Sequence, residues 1–146
     1  MERKNKRRNY GKRVIFGAHQ VAGVSEALTP RRGDIWYADL GDHTGTSVQG
    51  GCRPVLILSN DASNTYSGTV NVVPLTRHLK RPDLPCHTLL KSDNVETCYR
   101  GIDDSLLLAE QLTTIGVSQL RGFVGRVEDK EVLARIHRAV IAQLSL

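Results

Sequence analysis

Residues 33–61, GDIWYADLGDHTGTSVQGGCRPVLILSND, hold two β-forming runs separated by a loop in which Gly, Ser and Thr dominate. The first run, 34–40, is rich in strand formers and includes Trp36 and Tyr37. Pro54 stands at the start of the second run, 55–59, where a missing N–H harms a ladder least. A strand, a polar loop and a strand entered through Arg-Pro hold the Arg53 guanidinium at the mouth of a small β-structure, beside loop amides and hydroxyls. Such a site suits a phosphodiester better than an apolar small molecule. Alone, an Arg-Pro is most often a strand entry with a surface guanidinium. Of two adjacent strand aromatics, one must point inward, so core packing claims at least one of Trp36 and Tyr37.

Similar punctuation recurs downstream. Residues 60–68 read as a turn-rich connection, 70–75 as a third strand, and 78–85, with two prolines, as an exposed loop. Residues 87–91 and 105–112 read as further strands, the latter apolar enough to be central. The period then changes. Val132, Ile136, Val140 and Leu144 recur every fourth residue, with Leu133 and Ile141 beside them, which gives one helical stripe. Glu128, Asp129 and Glu131 fall at its start and Arg135 and Arg138 later, a polarity that suits the helix dipole. Nothing on this helix looks chemical; it packs on the core or on a partner. Short strands followed by a terminal helix predict a mainly β fold, a small and strongly bent antiparallel sheet or barrel.

At 146 residues the chain is sized for one domain with a modest core. No apolar run approaches the ~20 residues that a membrane span requires. The net charge of +5 is concentrated at one end. Residues 1–13 carry seven Lys/Arg and one acid, a local net of +6, which leaves residues 14–146 at −1. Any anion site in the body must therefore be local rather than a broad basic face. Residues 1–30 read as a basic, flexible extension and 31–146 as the folded domain. The three cysteines, Cys52, Cys86 and Cys98, are odd in number and show no CxxC spacing. That argues against a disulfide framework and a zinc site, and fits a reducing cytoplasm.

Four pieces in order, GDIWYADL, SVQGGCRPVLILSND, VVPLT and SLLLAEQLTTI, resemble the PemK/MazF toxins of bacterial toxin–antitoxin pairs, and the resemblance covers residues 31–146. It implies a compact SH3-like, CcdB-like β-barrel with a C-terminal helix, and a homodimer. It also implies sequence-specific cleavage of single-stranded RNA, chiefly mRNA, without a metal or other cofactor. A cognate antitoxin would place a flexible segment in the RNA groove. Two other readings stay open: a non-catalytic toxin of the same fold that inhibits a protein such as DNA gyrase, and an RNA-binding homologue with little turnover.

Carried over by position, the resemblance makes Arg53 and Thr76 catalytic. It makes Ser47, Gln49, Gly50, Leu84, Pro85, His87 and Gln111 substrate-binding. A ribonuclease without metal uses the 2′-hydroxyl of its own substrate as nucleophile and leaves a 2′,3′-cyclic phosphate and a 5′-hydroxyl. Negative charge gathers on the phosphoryl oxygens, so catalysis depends on donors fixed where it develops. Arg53 supplies a planar fork, Thr76 and Ser47 supply hydroxyls, and Gly50 and Gly51 allow close approach of backbone amides. The sequence departs from the family pattern at Val48, where many members carry Glu. A carboxylate there could take the 2′-hydroxyl proton, and valine cannot. His43, His78 and His87 are the available imidazoles.

Overall fold

The computed structural model describes residues 28–97 and 101–146. The basic extension expected for residues 1–30 therefore lies, apart from residues 28–30, outside the described residues. The strands are β1 (Asp34–Asp39), β2 (Cys52–Ile57), β3 (Thr69–Thr76), β4 (His87–Leu90), β5 (Glu96–Thr97), β6 (Ser105–Leu108), β7 (Thr113–Gly116) and β8 (Leu120–Arg126). The helices are α1 (Asp61–Tyr66) and α2 (Lys130–Leu144).

All ladders are antiparallel, in the order β4-β6-β3-β2-β1-β8-β5, with β7 also on β3. β3 is the bend. Its first half pairs with β7 (Thr69 with Gly116 to Val72 with Thr113) and its last two residues pair with β6. The expected bent antiparallel sheet with a C-terminal helix is what forms, but it is not closed into a barrel. Among the described residues, β4 and β5 end the path and do not pair with each other.

The central strands read as apolar runs because both faces are covered. Ile35, Leu56, Val73 and Leu75 pack in one cluster with Val132, Ile136 and Ala139 of α2. Their chain neighbours Trp36, Val55, Ile57 and Val72 pack in a second cluster with Phe123. Trp36 is thus the inward aromatic, edge-on to Phe123 at 5.6 Å between centroids, while Tyr37 is exposed.

Some boundaries differ from the sequence expectations. Residues 60–68 are not only a connection: Asn60 caps α1, its side chain accepting from Ser63 N at 2.8 Å. The strand expected over 105–112 stops at Leu108, because Ala109–Gln111 coil into a 3-10 turn closed by Leu112 N donating to Ala109 O. α2 starts at an Asp129 cap as the charge pattern suggested. The end of its stripe is not buried, however, and Ile141 and Leu144 remain 46% and 49% exposed.

His137, on α2, meets Arg32 with Nη2 2.9 Å from its Nε2. A guanidinium only donates, so Nε2 must accept, which requires the neutral ring. Burial, then the Arg32 charge, push the His137 pKa below its usual 6.5. A histidine depressed on folding contributes stability that is present above its unfolded pKa and is lost as pH falls through the lower folded value. Wild type should therefore lose more stability than His137→Gln between about pH 7 and pH 5. Urea unfolding of both proteins at matched concentration across that range checks it; parallel pH profiles would refute the assignment.

Candidate functional site

The loop from Leu40 to Gly51 is built by a narrow neck. Leu40 N donates to Gly51 O and Gly51 N to Gly41 O, at 3.0 and 2.8 Å. A Cβ on Gly50 would lie 2.9 Å from Gly41 O, so only glycine lets the two sides of the neck approach this closely. Gly51 has φ +71, a conformation other residues rarely adopt.

The free part of the loop is tied to the 3-10 turn after β6. Gln49 N donates to Gln111 Oε1, and Gln111 Nε2 donates to Ser47 O, each at 3.1 Å. Both ends of one side-chain amide thus hold the loop backbone. The side chain of Gln49 in turn accepts from Arg53 Nη1, while Arg53 Nε donates to Gly50 O at 2.9 Å. Arg53 is half-buried and held from two sides. Its Nη2 has no protein hydrogen-bond partner among the described residues.

Arg53 and Thr76 line one cleft of about 420 Å³, together with Tyr37, Pro54, His78 and Ser105. The β2–β3 register ends at Val55 with Pro74, and continuing it sets Arg53 across from Thr76 at the mouth. Thr76 Oγ1 accepts from His78 N at 3.2 Å, which leaves its hydroxyl hydrogen free to donate. Across the cleft, Arg77 Nη1 and Asp103 Oδ2 pair at 3.3 Å. Both are largely exposed, so their pairing contributes little stability and a polyanion competes easily for Arg77.

The structure thus ties Arg53, Ser47, Gln49, Gly50 and Gln111 into one hydrogen-bonded unit, of which only Arg53 lines the cleft with Thr76. Gln111 stands on the loop and not in the cleft, and Ser47 contributes its carbonyl to that contact. Leu84, Pro85 and His87 do not line the cleft. Pro85 and His87 border a separate hollow beside Arg135 and Arg138. Gly51 has already spent its amide on Gly41. Of the three imidazoles, His78 alone shares the cleft with Arg53; His43 is bonded to Leu40 O and His87 to Arg81 O and Glu110. Val48 faces another depression, with Asp42, whose carboxyl the Thr44 hydroxyl and amide hold below its usual pKa.

Sequence reasoning missed Arg77 and Asp103. Arg77 follows the third strand directly and was legible as a second cation beside Thr76. Asp103 carries no local signal, since only the fold brings it within reach.

The family model of PemK-like, MazF-like toxins of type II toxin–antitoxin systems matches residues 31–144. Endoribonuclease MazF of Staphylococcus saprophyticus is 34% identical over 116 residues, 80% of this chain and 92% of that one. Endoribonuclease EndoA of Bacillus subtilis is also 34% identical, over 80% of this chain and 95% of its own. Among solved structures, a mycobacterial endoribonuclease in complex with its cognate antitoxin superposes with a TM-score of 0.63 at 25% identity, covering 80% of this chain and 96% of that one.

Proposed function

From the premise that the chain belongs to the PemK-like, MazF-like toxin family of type II toxin–antitoxin systems, we propose that it is an endoribonuclease that cuts single-stranded RNA without a metal. The observation that carries this reading is the cleft where a rigidly held guanidinium and a donating hydroxyl stand together, Arg53 and Thr76. The relatives named as endoribonucleases, at 34% identity over most of the chain, support it.

In the proposed reaction the ribose 2′-oxygen attacks the adjacent phosphorus. A bond from O2′ to phosphorus forms as the bond to O5′ breaks, and the products are a 2′,3′-cyclic phosphate and a 5′-hydroxyl. One proton leaves O2′ and one arrives at O5′. Arg53 and Thr76 donate to the non-bridging oxygens as they gain charge, in a geometry set before substrate arrives. Val48 accepts no proton, and of the three imidazoles His78 is the one that lines the cleft. Gln49 and Gln111 act through Arg53 by fixing its loop.

The mycobacterial neighbour was solved with its antitoxin, and by analogy a cognate antitoxin controls this chain through the same groove. A homodimer is part of the proposal, with the unburied edge of α2, Ile141 and Leu144, as the face that a second copy covers. Residues 31–146 form the toxin domain, and the basic residues before them add salt-dependent affinity for RNA. Among the described residues no helix is long and apolar enough to cross a membrane.

The test incubates the purified full chain with a long RNA in EDTA and maps the new ends. Cuts at a recurring short sequence, bearing 5′-hydroxyl and cyclic phosphate ends, are expected. Light scattering on the same preparation should give twice the chain mass. RNA that is retarded on a gel but left intact would replace this reading with that of an RNA-binding homologue. Growth arrest that persists in an Arg53→Ala protein would replace it with a toxin acting on a protein target.

A further inference from the structure

Beneath the loop between β3 and β4, and outside the cleft, the Cys86 thiol, the His87 ring and the Glu110 carboxylate converge. Their sulfur, nitrogen and oxygen ligand atoms all lie within 4.8 Å of one another. The sheet fixes this convergence. Ala109 N donates to Cys86 O at 3.0 Å, and His87 pairs with Leu108 across the β4–β6 ladder. The three groups are therefore clamped by backbone on both sides.

The His87 side chain is only 7% exposed, and both of its nitrogens are engaged. Nδ1 lies 2.7 Å from Arg81 O. A carbonyl only accepts, so Nδ1 carries the hydrogen. In a neutral ring Nε2 is then a bare lone pair, and it faces Glu110 Oε1 at 2.8 Å. At that distance the two atoms share a proton, and a cation takes its place only when they move apart. The Cys86 thiol donates to the same carboxylate, so a sulfur, a nitrogen and an oxygen ligand atom converge on one point.

We propose that Cys86, His87 and Glu110 form a zinc-binding site, with solvent completing the tetrahedron. A thiolate with an imidazole selects a borderline-soft ion over calcium or magnesium. The Arg81 carbonyl plays the outer-sphere part that metal-bound histidines require: it fixes the tautomer and aims Nε2 at the metal. The Cys86 thiol proton leaves as the ion enters, and Nε2 and Oε1 separate from 2.8 Å to about 3.3 Å to accommodate bonds of about 2.0–2.2 Å. The missing CxxC spacing excludes only sites built from sequence-local thiols; this one combines neighbours with a residue brought in by β6. Bound zinc would staple the β3–β4 loop to the turn that carries Gln111. It lies outside the cleft of Arg53, so the proposal is independent of the RNA chemistry and its readout is binding.

The test titrates the full chain, stripped of metal and kept reduced, with cobalt(II) as a spectroscopic substitute, and with zinc against a chromophoric chelator. One equivalent of cobalt should give a thiolate-to-metal charge-transfer band and the visible bands of a tetrahedral ion. One equivalent of zinc should raise the melting temperature. Cys86→Ser should abolish the charge-transfer band, and Glu110→Gln should weaken zinc binding by at least about tenfold. Cys52→Ser should change neither. Circular dichroism of each apo variant keeps misfolding apart from loss of the site, and if Cys86→Ser does not fold, Cys86→Ala takes its place. Absence of the band in the wild type, its survival without Cys86, or its loss with Cys52→Ser would overturn the site.

Discussion

Arg53→Ala is expected to lower the RNA cleavage rate by about 10²–10³-fold, the usual effect of deleting one preorganised donor to a developing oxyanion. The size follows from what the guanidinium does. It places a permanent charge at the mouth of the cleft, and its planar fork matches two oxygens of one phosphate. The fork is also prepared before substrate binds, because Gly50 O and the Gln49 side chain hold Nε and Nη1 and leave Nη2 without a protein partner among the described residues. Arg53→Lys should therefore recover little, since an ammonium keeps the charge and loses the fork. Gln49→Ala keeps the charge and loosens the fork, and should cost less than Arg53→Ala, chiefly in kcat because the loss falls on transition-state geometry. Initial rates on a short RNA with one cleavage site, with a melting curve for each variant, measure all three. Should the Arg53→Ala protein cut as fast as wild type, the cleft is not the site of chemistry.

What the sequence showed clearly was whatever its local chemistry repeats. β1 was legible from its strand formers, β2 and β3 from apolar residues buried on both sides of the sheet, and α2 because Val132 and Ile136 fall on one stripe. β8 was not. Its pattern LRGFVGR is interrupted at Gly125, where a Cβ would lie 2.5 Å from Glu96 O and 2.8 Å from Val95 Cγ1. Residues 95–96 cross there too closely for any side chain, so tertiary contact chose a residue that reads locally as a strand breaker. α1, at six residues, was hidden among turn formers, and only the Asn60 cap signals it. Arg53 and Thr76 stood out through the family pattern. The use of Gln111 did not, since its amide acts on a loop 62–64 residues away in the chain.

The second large effect concerns stability. Asp34 is 1% exposed, and its carboxylate makes a close ion contact with Arg126 Nη2 at 2.5 Å, joining the start of β1 to the end of β8. It also accepts from Arg31 N at 2.8 Å and from Trp36 Nε1 at 3.3 Å. The ion contact is poorly angled as a hydrogen bond, and Arg126 Nε is buried without a hydrogen-bond partner, so the pair is only partly satisfied. Burial pushes the Asp34 pKa above its usual 3.8 despite these partners. Arg126→Ala leaves a buried carboxylate without its counter-charge and should cost about 3–5 kcal/mol. Replacing both partners by Leu and Met is not expected to restore the whole loss, because it strands the buried Trp36 indole N–H, worth about 1–3 kcal/mol when unsatisfied. The sign of the pH dependence discriminates further. A carboxyl raised on folding gives stability that is full below its unfolded pKa and is lost as pH rises through the folded one, and removal of Arg126 raises Asp34 further. The deficit of Arg126→Ala should therefore be largest near neutrality and shrink as pH falls toward about 4. Urea unfolding of variant and wild type at both ends of that range measures it, and a deficit that does not change with pH would mean that the Asp34 charge is not what Arg126 holds in place.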